Sequence, residues 1–334
     1  MRVFKMLAAF LLVLTLGQST ASAADQSAPA PGDRLDHILL WGRNIDQVTA
    51  VMAAKLGFQV RPGRAPDGVA NRYIRLADSS FIELLGIAQP DVAEAKMDPG
   101  SRADYKELRG QPGARSFGIH TSALDAAQAL LKQRNFAVTP IFSAAADDPD
   151  GQGPGSPPRW RLFAFDTSPL ASHLFFIDYA PGRKDPGSIL DDRLSREHPN
   201  GARELSSIWL LSNQLETDRK QLARIGFAET TPVRLPQIAA RGYAVAIGPT
   251  HLLLLEPDGT GVAADAFKRG GTQILGVSIG VSDLDQAQRR VERGYEVFNR
   301  HFARYKSPFG DAFLAPTMDD LGILVEFHAL GSGK

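Results

Sequence analysis

The chain of 334 residues contains no cysteine. That absence excludes disulfides, thiolate zinc sites, iron–sulfur clusters, a lipid anchor on Cys and a cysteine nucleophile. Charge of one sign is also missing, because 37 Lys+Arg are matched by 37 Asp+Glu. Such a balance gives no general attraction to nucleic acid or to an anionic membrane surface, and neither is expected as a partner. No nucleophile elbow, phosphate loop or dinucleotide glycine motif is found. Beyond the N-terminus, no apolar run approaches the ~20 residues of a membrane-spanning helix. What remains is an ordinary soluble composition, 43% hydrophobic and 22% charged. The length suits about two domains, each able to bury its own core.

Residues 1–23 read as a secretory signal peptide rather than as part of the fold. Arg2 and Lys5 form a positive start, Met6 to Leu16 is apolar and uncharged, and Ser19 to Ala23 ends in small residues of the A-x-A type. That order predicts export and cleavage after Ala23. The apolar run is shorter than a comfortable membrane span of about 20 residues. Removal of Arg2 and Lys5 leaves a formal charge of −2. Residues 24–33 are polar and proline-rich and read as a disordered leader. The expected location is periplasmic or secreted, with no membrane association after cleavage.

Internal repetition is the strongest pattern in the chain. Four segments begin with an apolar strand, continue through an amphipathic helix, and close on Gly or Asn followed by an aromatic residue. They open at Leu35–Trp41, Ser116–His120, Ser207–Leu211 and Gly276–Val281. They close at Gly57-Phe58, Asn135-Phe136, Gly226-Phe227 and Gly294-Tyr295. Ile45/Val48/Met52, Leu124/Ala127/Leu131 and Leu284/Ala287/Val291 each mark one buried face of a 3.6-residue period. The third helix keeps Leu215 and Leu222 but carries Asp218 between them. The closing Gly57, Asn135, Gly226 and Gly294 suit a left-handed residue that stops a helix. Each unit ends in an apolar strand with one acid: Glu83, Asp178, Glu256 and Glu326. The unit is strand–helix–strand–strand–strand, of about 55–70 residues, too small to cover both faces of its own sheet. Units should therefore pair.

The residues Leu35-Asp36-His37-Ile38, Asn44-Ile45-Asp46 and Leu56-Gly57-Phe58 resemble the opening motif of the vicinal oxygen chelate superfamily. This superfamily includes glyoxalase I, bleomycin-resistance proteins, methylmalonyl-CoA epimerase and extradiol dioxygenases. Pro62-Gly63, Gly68-Val69-Ala70-Asn71-Arg72, Phe81-Ile82-Glu83-Leu84, Arg159-Trp160-Arg161-Leu162 and His198-Pro199-Asn200-Gly201-Ala202 are similar to its glyoxalase-like domain branch. The resemblance implies an α+β fold of four strand–helix–strand–strand–strand modules, paired into two cup-shaped mixed β-sheet domains. The expected divisions are residues 34–180, a linker at 181–203, and a second, degenerate domain at 204–330. It does not imply one activity, because the fold hosts several chemistries and pure binders.

The same resemblance places a divalent metal between the first and last strands of two paired modules. Here it points to His37, Glu83 and Asp178, a nitrogen and oxygen set suited to zinc, manganese, iron or nickel. Ser116 stands where a fourth ligand is often found, a departure that counts against an extradiol dioxygenase. The metal would polarise neighbouring oxygens of a small substrate, and Glu83 or His120 would move the proton. Asn71, Tyr73 and Arg161 are expected to line the first cup and bind substrate; the other reading of Arg161 is a surface ion pair. In the second pair, Ser207, Glu256, Gly276 and Glu326 lack a histidine and read as degenerate, with His328 sharing strand parity with Glu326. Asp147–Gly151 reads as a solvated turn rather than a calcium loop, inside a long connector at 143–158. Two functional readings stay open. One is a metal-assisted lyase, isomerase or hydrolase; the other is a metal-free cup that traps a small molecule without turning it over. Oligomeric state is not legible from the sequence.

Overall fold

The computed structural model describes residues 31–65, 67–144, 155–182 and 185–331. The expected signal peptide, most of the leader and the acidic turn at 147–151 lie outside these residues.

The first module supplies β1 (Arg34–Trp41), α1 (Ile45–Ala50, extended by a π-turn at Val51–Lys55), β2 (Arg61–Pro62), β3 (Val69–Arg75) and β4 (Phe81–Ile87). Two helices, α2 (Pro90–Lys96) and α3 (Pro99–Leu108), lead into the second module. That module comprises β5 (Gly113–His120), α4 (Leu124–Gln133), β6 (Phe142–Ser143), β7 (Trp160–Ala164) and β8 (His173–Tyr179). Helix α5 (Pro186–Ser195) connects to the third module, β9 (Ala202–Leu211), α6 (Leu215–Ile225), β10 (Thr230–Leu235), β11 (Ala240–Ile247) and β12 (Thr250–Pro257). After α7 (Val262–Gly270), the fourth contains β13 (Gln273–Val281), α8 (Leu284–Gly294), β14 (Arg304–Ser307), β15 (Gly310–Ala315), α9 (Met318–Leu321) and β16 (Leu324–Ala329).

These strands form two eight-stranded mixed sheets, ordered β2-β3-β4-β1-β5-β8-β7-β6 and β10-β11-β12-β9-β13-β16-β15-β14. Modules pair in chain order, first with second and third with fourth. Within each module the first strand runs parallel to the last, so the connection between them crosses over with a helix. The two modules of a sheet meet antiparallel, at β1/β5 and at β9/β13. His37 lies opposite Gly118 and Leu39 opposite Ser116. This crossed register sets a local two-fold axis at the Ile38/Phe117 pair, relating His37 to Ser116.

Strand alternation sorts the side chains. Ile38, Leu40, Ile82, Leu84, Phe117, Ile119, Leu174 and Phe176 turn toward the helices. The same apolar core takes in Leu205, Ile208, Leu252, Val277 and Phe327, so the helix-covered faces of both sheets share it. The opposite faces are the cups. The first is part-filled by Trp41, Val69 and Leu85 under Ala93 and Met97. The second is packed with Trp209, Leu253, Leu255, Leu275 and Leu324 beneath Ala263 and Ala266 of α7.

Helix ends follow the sequence with one correction. Asn44 Oδ1 accepts from the Gln47 amide and starts α1, and Asp283 does the same for α8. Gly57, Asn135 and Gly226 adopt φ of +78°, +61° and +127°, as their closing positions require. Gly294 does not take that conformation; the positive φ falls on Glu296. A Cβ on Gly294 would lie 2.1 Å from the Lys55 carbonyl oxygen, so this glycine serves the close approach of α8 to the first module. Asp218 sits in the buried register of α6 because Ser212 Oγ donates to it at 2.6 Å.

Candidate functional site

The site begins at an irregularity in β1. Leu35 pairs with Ile119 and His37 with Gly118, leaving Asp36 as one residue too many. Such a bulge lets consecutive side chains share a face of the sheet. Here it brings Asp36 Oδ2 within 2.6 Å of His37 Nδ1. The Tyr179 hydroxyl donates to the same oxygen at 2.7 Å, and Arg34 lies 3.5 Å from Oδ1. Asp36 is fully buried. Burial acts to raise its pKa, but the hydrogen bonds from His37 and Tyr179 and the Arg34 charge outweigh it and hold the group below its ordinary value. A carboxylate only accepts, so Nδ1 carries the proton and Nε2 faces the cup.

Across the cup, Glu83 Oε2 of β4 lies 3.7 Å from His37 Nε2. That distance is beyond a hydrogen bond, so both atoms can engage one small group between them. Asn71 Nδ2 donates to Glu83 Oε1 at 3.1 Å and lies 2.6 Å from the Tyr73 hydroxyl. Asn71 Oδ1 in turn accepts from the Arg64 amide at 2.7 Å, which fixes the amide's orientation. Burial pushes the Glu83 carboxyl up, opposed by the charge His37 carries when protonated and by the Asn71 hydrogen bond. Phe81 stacks on the imidazole at 4.1 Å between centroids, and Phe175 meets it edge-on at 5.1 Å. Gly118 is required opposite the bulge, because a Cβ there would lie 2.8 Å from the Phe175 ring and 3.2 Å from His37.

Of the residues expected at the site, the structure brings His37, Glu83, Asn71 and Tyr73 together. It does not bring Asp178 or Arg161 to them, which corrects the expected metal set and substrate contacts. Phe176 and Phe163 of β8 and β7 point into the helix-side core, so Asp178 and Arg161 share that outer face. There Arg161 donates to Asp178 at 2.6 Å and to Asp125 of α4 at 3.0 Å. The cup-facing residues of β8 instead include Phe175, against His37, and Tyr179, against Asp36, with His173 at the α3 end. His120 faces the cup farther along β5, beside the Tyr179 ring at 6.4 Å and 3.3 Å from Asp33, without touching Glu83. Ser116 turns away to donate to Asp104 at 2.8 Å. Asp104, fully buried on α3, also lies 2.8 Å from His173 Nδ1, tying α3 across the second half of the cup. In the second domain, Glu256 bonds Arg241 outside the cup. Glu326 is buried within it and accepts from the Tyr305 hydroxyl at 2.6 Å.

The donor set can be tested against the metal that the fold family implies. The two-fold relates His37 to Ser116 and, through the parallel registers His37/Phe81 and Ser116/His173, Glu83 to Phe175. One module thus offers imidazole and carboxylate; the other offers a hydroxyl committed elsewhere and a phenyl ring. Two protein donors fall short of the three that a catalytic zinc-type site uses. Among the described residues no group of three or more His, Asp or Glu is arranged to hold a metal ion. The residues present do not fit the group.

Asp36 and Tyr179 were missing from the sequence reading. The signal for Asp36 was there: Leu35 and Ile38 both enter the core three residues apart, a spacing that strict alternation forbids and a bulge supplies. Nothing local marks Tyr179, whose role depends on a strand two places away.

Comparison with known proteins agrees with this architecture. No curated protein matches the chain. Among solved structures, a triple mutant of 4-hydroxymandelate synthase from Streptomyces coelicolor superposes with a TM-score of 0.63 at 10% identity, covering 92% of this chain and 94% of that one. A hypothetical protein from Staphylococcus aureus gives 0.52 at 13% identity, covering 89% and 99%. The 2,2',3-trihydroxybiphenyl 1,2-dioxygenase of Sphingomonas wittichii strain RW1 gives 0.52 at 13% identity, covering 89% and 90%. At these identities the likeness is one of fold, that of the vicinal oxygen chelate superfamily. The sequence profile described as "Glyoxalase-like domain" matches residues 35–226, more than half of the chain. The chain belongs to the glyoxalase-like domain family.

Proposed function

We propose that the chain is an exported enzyme that moves a proton on a small oxygen-bearing metabolite bound in the first cup, as an isomerase, a lyase or a hydrolase. One observation carries this reading: His37 Nε2 and the Glu83 carboxyl face each other at 3.7 Å, too far for a hydrogen bond between them. An imidazole whose Nδ1 proton is engaged presents a basic Nε2. The Glu83 carboxyl, whose pKa burial raises, is its acid partner. The imidazole takes a proton from carbon next to a carbonyl, and Glu83 holds or returns one at the oxygen. Asn71 and Tyr73 orient Glu83 and lie beside the oxygen it serves. No step passes through a metal, because the donor set is incomplete. Export rests on residues 1–23 and predicts a mature N-terminus at Ala24, readable by mass spectrometry of the periplasmic or secreted protein.

The test is deuterium wash-in. A panel of small α-hydroxycarbonyl and 2-oxo compounds is incubated with the protein in heavy water and followed by proton NMR. Exchange at the carbon next to the carbonyl is expected. It falls about 10²-fold or more in His37→Ala and Glu83→Gln, the contribution of a positioned acid or base, and persists in EDTA. Exchange equal in wild type and His37→Ala would refute the assignment. The second reading, a small-molecule trap, is favoured by the aromatic walls Phe81 and Phe175. It predicts ligands that raise the Tm without any exchange.

A further inference from the structure

We infer that Asp36 and Tyr179 are positioning residues, and that a buried carboxylate–imidazole pair does here what the superfamily assigns to a metal. The inference rests on the proposed role of His37 and adds how that ring is made to face its substrate.

Three observations support it. The first is the bulge. In a regular strand Asp36 and His37 would point to opposite faces, and one extra residue against Gly118 puts both on the cup side, 2.6 Å apart. A bulge also needs its neighbours cleared, and Gly118 clears them for the imidazole and for Phe175. The second is burial. Asp36 is fully buried and His37 is 4% exposed, so water does not compete for the Nδ1 proton. Of the two ring nitrogens only Nε2 looks toward Glu83. The third is the anchoring of Asp36 itself. The Tyr179 hydroxyl comes from β8, with β5 lying between that strand and β1. The two modules of the domain are therefore both needed to hold one carboxylate. A hydrogen bond on each of its neighbours leaves the imidazole a single tautomer and a single orientation.

An imidazole backed by a carboxylate is also what a metal-bound histidine uses. The two uses are separated by the second module, which contributes Phe175 and a diverted Ser116 where further ligands would stand. A carboxylate-backed imidazole without a full ligand set is a base.

The experiment reads the ring directly. Protein labelled with ¹⁵N in histidine is examined at pH 8.5, and the ring nitrogens of His37 are assigned by their loss in His37→Gln. The expected signature is a protonated Nδ1 and an unprotonated Nε2, unchanged when zinc, manganese or nickel chloride is added at one equivalent. In Asp36→Asn the two tautomers become mixed. Deuterium wash-in then drops roughly 10²- to 10⁴-fold in kcat, the range of a general base's contribution, with KM little changed. Tyr179→Phe keeps the Asp36 carboxylate and is expected to fall between wild type and Asp36→Asn. A wild-type ring protonated on Nε2 would overturn the inference, and so would a stoichiometric shift of Nε2 with any of the three metals. The wild-type spectrum needs only the His37→Gln variant to fold, and a through-bond correlation to the His37 backbone gives the same assignment without it. It also stands apart from the enzymatic reading: the expected tautomer without wash-in for any compound would leave Asp36 as the positioning residue while refuting catalysis.

Discussion

Glu326 is the carboxylate whose burial can be measured as stability. It is fully buried in the second cup, where the Tyr305 hydroxyl donates to one of its oxygens at 2.6 Å. Burial lifts its pKa from 4.5 to about 7, with the Tyr305 bond opposing the rise. The folded group thus keeps a proton that the unfolded chain has already lost. Its favourable contribution is complete below about pH 4.5, declines as the pH rises, and is gone above about pH 7. At 1.36 kcal/mol per pH unit the difference is about 3 kcal/mol. Glu326→Gln keeps an acceptor for Tyr305 and cannot ionise. Urea unfolding at pH 5, 6, 7 and 8 is expected to show wild type losing about 2.5 kcal/mol more than the variant across that range, part of the difference having gone already by pH 5. Because the two sheets share one core, the loss registers in the main transition. Equal pH dependence of wild type and variant would refute the buried-acid reasoning.

Two further outcomes test the assignment of faces and of the α3 tie. Asp178→Ala removes an ion pair that Arg161 shares with Asp125 on the partly exposed outer face, so stability falls by about 1 kcal/mol or less. Wash-in should stay within about twofold of wild type, well short of the effect of losing a base; a collapse like that of His37→Ala would put Asp178 in the cup. His173 has its pKa raised, chiefly by its hydrogen bond to Asp104, with burial opposing and the Asp104 and Glu107 charges assisting. Its hold on α3 is complete below pH 6.5 and is lost as the pH climbs through the raised folded value. Amide exchange in α3, corrected for intrinsic rates, should therefore quicken between pH 6 and pH 9 in wild type. In His173→Gln it should already be quick at pH 6. Indifference of α3 to both pH and substitution would sever the proposed tie.

The repeat, the helix registers and the acid near each closing strand were legible because they are local patterns. Ile45/Val48/Met52 can bury one face only as a helix, and Gly57 or Gly226 can close it only where a side chain is penalised. His37 and Glu83 could be paired because both lie on strands of the same module, whose period fixes their faces. Asp178 could not be placed that way. Its strand carries Phe175, Phe176 and Ile177 in succession, apolar on both faces, and such a run does not say which side is the core. Gly294 was misread for a similar reason: a glycine near a helix end serves equally for a turn and for a backbone contact with another module. The chain's own order of apolar and polar residues therefore determined the modules and half of the site. Tertiary structure decided the rest, namely the bulge that sets Asp36 beside His37, the reach of Tyr179 from a distant strand, and the phenyl ring where another ligand would stand. These depend on register between strands far apart in sequence, and register is set by the packing of the whole sheet.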